Sequence, residues 1–239
     1  RKVKEPISNI VGIDVGILSY LTDSNNLKID NPKFFRSIRE RIKYLQREVS
    51  KKKLGSSNRK KALLKLNKAY RDMTNFKENF IHNLTSKITD ENQVIVLEDL
   101  KIKEMMQNPN LATSIQELSL YEFKRQIIYK SEWKNRTVIL ADTFFPSSKI
   151  CSSCGTKKDS LLLSDRTFNC SCGLNIDRDL NAAINMKQYG EAVLKGETHY
   201  FGYPLKSLEE HLNKLAEKQK PKTTKLNSGR KSKPKEVKV

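Results

Sequence analysis

Histidine is scarce in this sequence, with three in 239 residues, and tryptophan occurs once. Histidine metal sites and histidine-dependent nucleophile triads therefore have little to draw on. No apolar run approaches the ~18 residues a membrane span requires, so no membrane partner is expected. No secretory signal pattern is visible. Acidic residues are also in short supply: 27 Asp and Glu face 46 Lys and Arg, a formal net charge of +19. A surplus of that size implies a polyanionic partner, with a solvated lysine-rich surface as the bland alternative. The chain begins at Arg1, which reads as a fragment or a processed product, and its length suits one large domain plus a small insert.

The most informative stretch runs from Cys151 to Met186. Cys151 and Cys154 form C-x-x-C ahead of Gly155, and Cys170 and Cys172 form C-x-C ahead of Gly173. Fifteen residues separate the pairs, inside the zinc-ribbon window. A thiolate pair on a tight glycine turn takes two corners of a tetrahedron, so two such turns make a closed structural site for one Zn²⁺. The alternatives are two disulfides or four free thiols, and disulfides need an oxidising compartment.

Upstream, Ile10 to Tyr20 (IVGIDVGILSY) opens with a buried strand carrying Asp14, and Gly12 and Gly16 leave room for a ligand or a second backbone. Leu18–Thr22 and Leu27–Asp30 continue a meander around a turn at Asp23–Asn26. Phe35, Ile38, Ile42, Leu45 and Val49 are spaced 3-4-3-4, and Leu66, Ala69, Met73, Phe76 and Phe80 repeat the pattern after a turn at 51–58. This predicts an antiparallel helical hairpin. Its outer faces carry Arg36, Arg39, Lys43, Arg47, Lys51, Lys52, Lys53, Arg59, Lys60 and Lys61, opposed over that span by Glu40 and Glu48. Such crowding gains little for a helix, so a phosphate backbone is the expected counter-charge.

Val94–Leu97 reads as a central strand ending in Glu98 and Asp99, the strand end at which open α/β sheets place ligands. Residues 101–112 read as a mobile loop. One helix is expected over Ser114–Lys134, with Leu118, Tyr121, Phe123, Ile127, Ile128 and Trp133 mostly in the core. Thr137–Ala141 is another buried strand, and Asp142 after it reads as a turn residue. Asp177 is placed to cap a helix that carries Asp179 in its first turn and ends near Gly190. A short helix over Ser207–Lys218 precedes a Lys-rich tail, 219–239, expected to be disordered.

Asp14, Glu98 and Asp179 thus sit on three regular elements that a ribonuclease-H-like sheet would bring together. Clustered carboxylates repel, so such a site needs hard divalent cations, Mg²⁺ or Mn²⁺. Two ions ~3.5–4 Å apart serve phosphodiester hydrolysis.

The segments GIDVG (12–16), 31–61, VIVLEDL (94–100), FFPSSKIC (144–151), LSDRTFNC (163–170) and DRDLNAAINM (177–186) resemble the TnpB family of IS200/IS605-class transposons. These proteins are related to type V CRISPR effectors and to Fanzor proteins. The resemblance implies an α/β, ribonuclease-H-like (RuvC) mixed sheet with an inserted helical hairpin and an inserted zinc ribbon. It divides the chain into RuvC-like part I (1–32), a basic hairpin (33–92), part II (93–149), the target nucleic acid-binding zinc ribbon (150–174), part III (175–190) and a basic C-terminal extension (191–239). It implies an RNA-guided DNA endonuclease, often described as a transposase, whose partners are target DNA and a guide RNA from the transposon end. Asp14, Glu98 and Asp179 would hold two Mg²⁺ or Mn²⁺ ions, and Arg166 would contact the target strand. The expected location is the prokaryotic cytoplasm, at the nucleoid, or the nucleus for a eukaryotic or viral relative.

Two departures stand out. The second knuckle is C-x-C where the family has C-x-x-C. Family members also carry a wedge and recognition region before the first strand, whereas this chain begins about ten residues ahead of it, so an N-terminally truncated member is expected. The competing reading is a non-catalytic zinc-ribbon nucleic-acid-binding remnant, or a transposition accessory protein, with vestigial carboxylates.

Overall fold

The structure is a computed structural model and describes residues 8–32, 34–162 and 164–219. Its centre is a five-stranded mixed sheet in the order β3-β2-β1-β4-β5. The strands are β1 (Ile10–Val15), β2 (Ser19–Asp23), β3 (Lys28–Asp30), β4 (Val94–Glu98) and β5 (Thr137–Ala141). β1 to β3 form the expected antiparallel meander, while β1, β4 and β5 run parallel. The parallel strands are almost wholly apolar because both of their faces are covered.

Side chains alternate across the sheet, and the two faces have different covers. Val11, Ile13, Ile95, Leu97, Val138 and Leu140 pack with helices α2 (Ser57–Glu91) and α5 (Leu120–Trp133). Val94, Val96, Ile139 and Ala141 pack on the other face with Met186, Tyr189 and Val193 of α6 (Arg178–Lys195). The predicted hairpin is present as α1 (Phe34–Ser50) and the first half of α2, with Ile38, Ile42 and Val49 seamed against Leu66 and Ala69. Phe35 is in α1, but its side chain lies outside the described residues. The second half of α2 buries Ile81, Leu84 and Ile88 against the sheet, so one helix serves both layers.

Helix α6 approaches the sheet unusually closely. A Cβ at Gly12 would lie 2.1 Å from Ala183 O and 2.3 Å from Lys187 N. The room foreseen beside Gly12 is therefore taken by another backbone. Gly190 was expected to end this helix. Instead α6 continues to Lys195, and Gly196 caps it in the left-handed region at φ +77°. Gly190 is an approach position, since a Cβ there would meet Val96 Cγ2 at 2.3 Å.

Other expectations are corrected. Residues 101–112 are not a plain loop, for they contain α3 (Ile102–Met105) and the start of α4 (Pro109–Leu118). The single helix expected over 114–134 is broken at Ser119, whose φ of +50° ends α4 and starts α5. Trp133 and Tyr121 are not core residues: they are 76% and 67% exposed, Trp133 at the last residue of α5 and Tyr121 opposite buried Phe123 and Lys130. Asp142 is the turn residue expected, accepting from Phe144 N at 3.1 Å. After the two-residue strands β8 (His199–Tyr200) and β9 (Tyr203–Pro204), α7 (Leu208–Gln219) matches the predicted C-terminal helix. The basic tail beyond it, 220–239, lies outside the described residues. Among the described residues no helix is long and apolar enough to cross a membrane.

Gly12→Ala should destabilise the fold by several kcal/mol, because the clash is with helix backbone that must move as a unit. Gly16→Ala, whose Cβ would meet only Ser19 O at 3.2 Å, should cost clearly less. Denaturant unfolding of the two variants checks this.

Candidate active site and cysteine cluster

Asp14 is the second-last residue of β1 and shares the α6 face with Gly12. Glu98 is the last residue of β4 and shares that face with Val94 and Val96. The parallel register pairs Ile13 with Leu97, which sets Asp14 beside Glu98 at the C-terminal edge of the sheet. Asp179 lies in the first turn of α6, one turn before the Ala183 carbonyl that covers Gly12. The helix therefore runs back against the strand and delivers Asp179 to Asp14.

The electrostatics agree with this convergence. Burial first, then repulsion from Asp179 and Glu98, pushes the Asp14 carboxyl up to about 8, with Arg178 opposing. Burial and then repulsion from Asp99 raise Glu98 to about 7, with Lys124 opposing. Asp177 and Asp99, the acidic neighbours of two of these residues, have other partners. Asp177 caps α6, accepting from Asp179 N at 2.9 Å and Leu180 N at 3.1 Å. Buried Asp99 pairs with Lys124 and, at 2.7 Å, with Lys214 of α7. Half-buried Asp14, with Glu98 and Asp179 near enough to act on its charge, puts hard carboxylate oxygens at one sheet edge, the ligand type a divalent cation such as Mg²⁺ or Mn²⁺ takes.

Sequence reasoning missed Lys28. Its ammonium, on β3, lies 3.1 Å from Asp177 Oδ2 and 3.9 Å from Asp179 Oδ2. Nothing local marks it, because the pairing spans 149 residues and only the sheet order creates it.

The four cysteines converge as expected. None of the four forms a disulfide, and their sulfurs lie within 4.8 Å of one another. Cys151 Sγ is 3.6 Å from Cys172 Sγ, and Cys154 Sγ is 3.6 Å from Cys170 Sγ. A tetrahedral Zn–S₄ site with bonds of ~2.3 Å has S···S edges of roughly 3.8 Å, so the group fits one Zn²⁺. Gly155 at φ +75° and Gly173 at φ +95° make the two knuckle turns, and the shorter C-x-C knuckle still presents both sulfurs. Burial pushes the Cys151 thiol up to about 12, whereas the Thr156 hydroxyl, 3.2 Å away, heads the causes that hold Cys154 down to about 6.

The ribbon is completed by β6 (Thr167–Asn169) and β7 (Asn175–Asp177) and is hooked to α6 by two buried asparagines. Asn181 Nδ2 donates to Ile150 O at 2.7 Å while its Oδ1 accepts from Ser152 N at 3.0 Å. Asn185 Nδ2 donates to Ser147 O at 2.8 Å and Ile150 O at 2.7 Å. Their i, i+4 spacing was the sequence signal for a shared face.

The basic hairpin set divides. Arg47, Lys53, Lys60 and Lys61 are exposed. Lys43 pairs with Glu40 at 3.1 Å, and Lys51 and Lys52 with Glu48 at 3.0 and 3.9 Å. Arg59 turns inward and donates to Val49 O and Lys52 O, both at 3.3 Å, closing the end of α1. Arg39 is half-buried, and the side chain of Arg36 lies outside the described residues. A shallow groove along α1 is lined by Lys43, Gln46, Arg47, Ser50 and Lys51. Arg166 is exposed on the ribbon, and its carbonyl accepts from Arg178 N at 2.8 Å, beside the first turn of α6.

Two outcomes follow from these sites. Asp14 and Glu98 have folded pKa values above their ordinary 3.8 and 4.5, so the folded protein holds more protons than the unfolded chain between about pH 4 and 8. Stability of the metal-free protein is therefore full below that window and falls as pH rises through it, by on the order of 1 kcal/mol per pH unit for each group. Denaturant unfolding from pH 5 to 9 should show this slope, and Asp14→Asn should flatten it. Separately, metal analysis of the reduced protein should find one zinc per chain, and Cys154→Ser should lose it while the circular dichroism of the sheet persists.

The family model described as "Probable transposase" matches residues 2–109, and that of the Cas12f1-like TNB domain matches residues 121–186. A Streptomyces pristinaespiralis protein named "Putative RNA-guided DNA endonuclease" is 41% identical over 182 residues, which cover 76% of this chain and 45% of that protein. InsQ of Escherichia coli K12, bearing the same description, is 28% identical over 218 residues, 84% of this chain and 54% of its own. The TnpB-like protein L79 of Acanthamoeba polyphaga mimivirus is 28% identical over 148 residues, 59% of this chain and 28% of its own. The chain spans about half the length of the first two relatives. The cryo-EM structure of the Cas12f1-sgRNA-target DNA complex contains a chain of the same fold, with a TM-score of 0.55 at 20% identity over 78% of this chain and 51% of that one. The sequence matches, in the same order along the chain as the motifs that carry the carboxylates and the cysteines, make this chain a member of the TnpB family.

Proposed function

We propose that this chain is the catalytic and zinc-ribbon portion of an RNA-guided DNA endonuclease, in which a RuvC-type, ribonuclease-H-like sheet hydrolyses phosphodiester bonds of DNA. The observation that carries the reading is the convergence of Asp14, Glu98 and Asp179 from β1, β4 and α6 at one sheet edge, with mutual repulsion felt at Asp14. The β3-β2-β1-β4-β5 order, with an antiparallel meander on one side and parallel strands on the other, supports the fold assignment. The relatives' names supply the substrate and the guide, DNA and RNA, by similarity.

Asp14, Glu98 and Asp179 would hold two Mg²⁺ or Mn²⁺ ions, which when bound activate water and stabilise the leaving oxygen. The chain's own residues do the rest. β1 and β4 fix Asp14 and Glu98 by backbone pairing, and α6 fixes Asp179, so the ligands are held before substrate arrives. With Asp14 pushed up to about 8 and Glu98 to about 7, by burial first and then by neighbouring carboxylates, near neutral pH Asp14 is mostly and Glu98 partly protonated, and binding a cation releases those protons. Lys28 balances charge at the Asp177–Asp179 side of the site. The exposed lysines and arginines of the hairpin hold nucleic acid through its phosphates, without reading sequence. The ribbon, with one structural Zn²⁺, carries Arg166 to the edge of the site for the target strand.

With Mg²⁺, the chain should cleave DNA, and Asp14→Asn, Glu98→Gln and Asp179→Ala should each abolish cleavage while leaving nucleic-acid affinity and its steep fall with salt in place. Glu197→Gln, an exposed position just past the far end of α6, should cleave normally. Unchanged cleavage by all three carboxylate variants would sink the nuclease reading and leave a zinc-ribbon nucleic-acid-binding protein. Calorimetric titration with Mg²⁺ gives a second readout, since binding should release protons and vanish in the variants.

A further inference from the structure

Residues 144 and 145 are both phenylalanine, and the structure places them oppositely. Phe145 is buried, with its ring 5.0 Å from that of Tyr189 and 5.8 Å from those of Tyr200 and Tyr203. Phe144 is 81% exposed. The turn that carries them is firmly tied. Asp142 accepts from Phe144 N at 3.1 Å through Oδ1 and from Phe145 N at 2.9 Å through its carbonyl, and Lys206 pairs with its carboxylate at 3.4 Å. Thr143 Oγ1 donates to Asp99 O at 3.1 Å and Asp99 N donates to Ala141 O at 3.2 Å, lacing the segment after β5 to the segment after β4. A fixed turn thus presents an apolar ring to solvent.

The ring belongs to the sheet edge that carries the carboxylates. Ala141 pairs with Glu98 in the β4–β5 register, and Phe144 follows Ala141 by three residues. Lys101, three residues after Glu98, holds its ammonium 5.5 Å from the Phe144 ring centroid while pairing with Glu104 at 3.2 Å. Single strands are bound by aromatic rings that stack on bases and by cations that track the backbone. Phe144 and Lys101 supply one of each beside a candidate phosphodiester-cutting site, in a chain of net charge +19.

We propose that Phe144 is a positioning residue that stacks on a nucleobase of the single DNA strand being cut, with Lys101 contacting a phosphate of the same strand. The proposal rests on the nuclease reading and adds to it how the strand is held. Stacking fixes one base against a rigid turn, so the phosphate a short distance along the strand is kept at the carboxylates. Phe144 moves no proton and ligates no metal ion.

The test uses a non-cleaving Asp179→Asn chain and single-stranded oligodeoxynucleotides carrying 2-aminopurine at successive positions. Stacking should quench the fluorophore at one or two adjacent positions, and the quench should disappear in Phe144→Ala and persist in Phe144→Tyr. Affinity should fall roughly tenfold or more on loss of the ring, and less for Lys101→Ala. In the cleaving chain, Phe144→Ala should raise KM by a similar factor and blur the cut position, with rescue by Phe144→Tyr. An abasic nucleotide at the quenched position should bring wild-type cleavage down to the Phe144→Ala level and change that variant no further. An unchanged quench in Phe144→Ala overturns the proposal, whatever happens to its cleavage. If instead the three carboxylate variants cut like wild type, the nuclease reading has failed, and the fluorescence result still decides whether the ring stacks.

Discussion

The contact on which the rest depends is the approach of α6 to β1 across Gly12. With no side chain at that position, the backbone of Ala183 and Lys187 lies directly on the strand. Gly190 repeats the device against Val96 on the neighbouring strand, so the helix is seated at two points. Its position and direction are then determined. Its N-terminus arrives at the strand ends that carry Asp14 and Glu98, and the amide dipoles of that first turn favour the negative charge of Asp177 and Asp179. Asn181 and Asn185 project from the same seated helix and hold the first cysteine knuckle through Ile150 and Ser152. One helix thus registers the carboxylates and the ribbon together.

The distribution of charge follows a simple division. Three acidic residues close to the candidate site in sequence or at the same sheet edge have cations or backbone donors of their own: Asp99 has Lys124 and Lys214, Asp177 has Lys28 and the α6 amides, and Asp142 has Lys206 and a turn amide. Asp14 and Glu98 instead have their pKa values raised, first by burial and then by neighbouring carboxylates. That combination of burial and repulsion separates a candidate cation site from ordinary surface acids. On the hairpin the balance is reversed, with exposed Arg47, Lys53, Lys60 and Lys61 left as a cationic face.

The sheet was legible because Ile10–Val15, Val94–Glu98 and Thr137–Ala141 are short apolar runs closed by polar residues, and the hairpin because its 3-4 spacing is sustained. The cysteine cluster was legible from spacing alone. Other features were hidden for identifiable reasons. Glycine serves both to end a helix and to admit a close neighbour, and nothing local tells Gly190 from Gly196. Ser119 breaks a helix in a conformation that serine seldom adopts, so it leaves no compositional trace. Trp133 is core-like by residue type, but as the last residue of α5 it faces solvent. Lys28 and Lys214 reach their carboxylate partners only through the tertiary fold.

Helix α2 has a mechanical consequence. It runs unbroken for 35 residues with no glycine or proline inside it, a rod of about 52 Å at 1.5 Å per residue. Its outer half is braced by α1 and its inner half is embedded under β1, β4 and β5. A rod fixed at one end and braced at the other is a lever. Force applied at the hairpin tip by anything that grips it is transmitted as torque to the face of the sheet opposite the carboxylates, with no hinge along the way to absorb it.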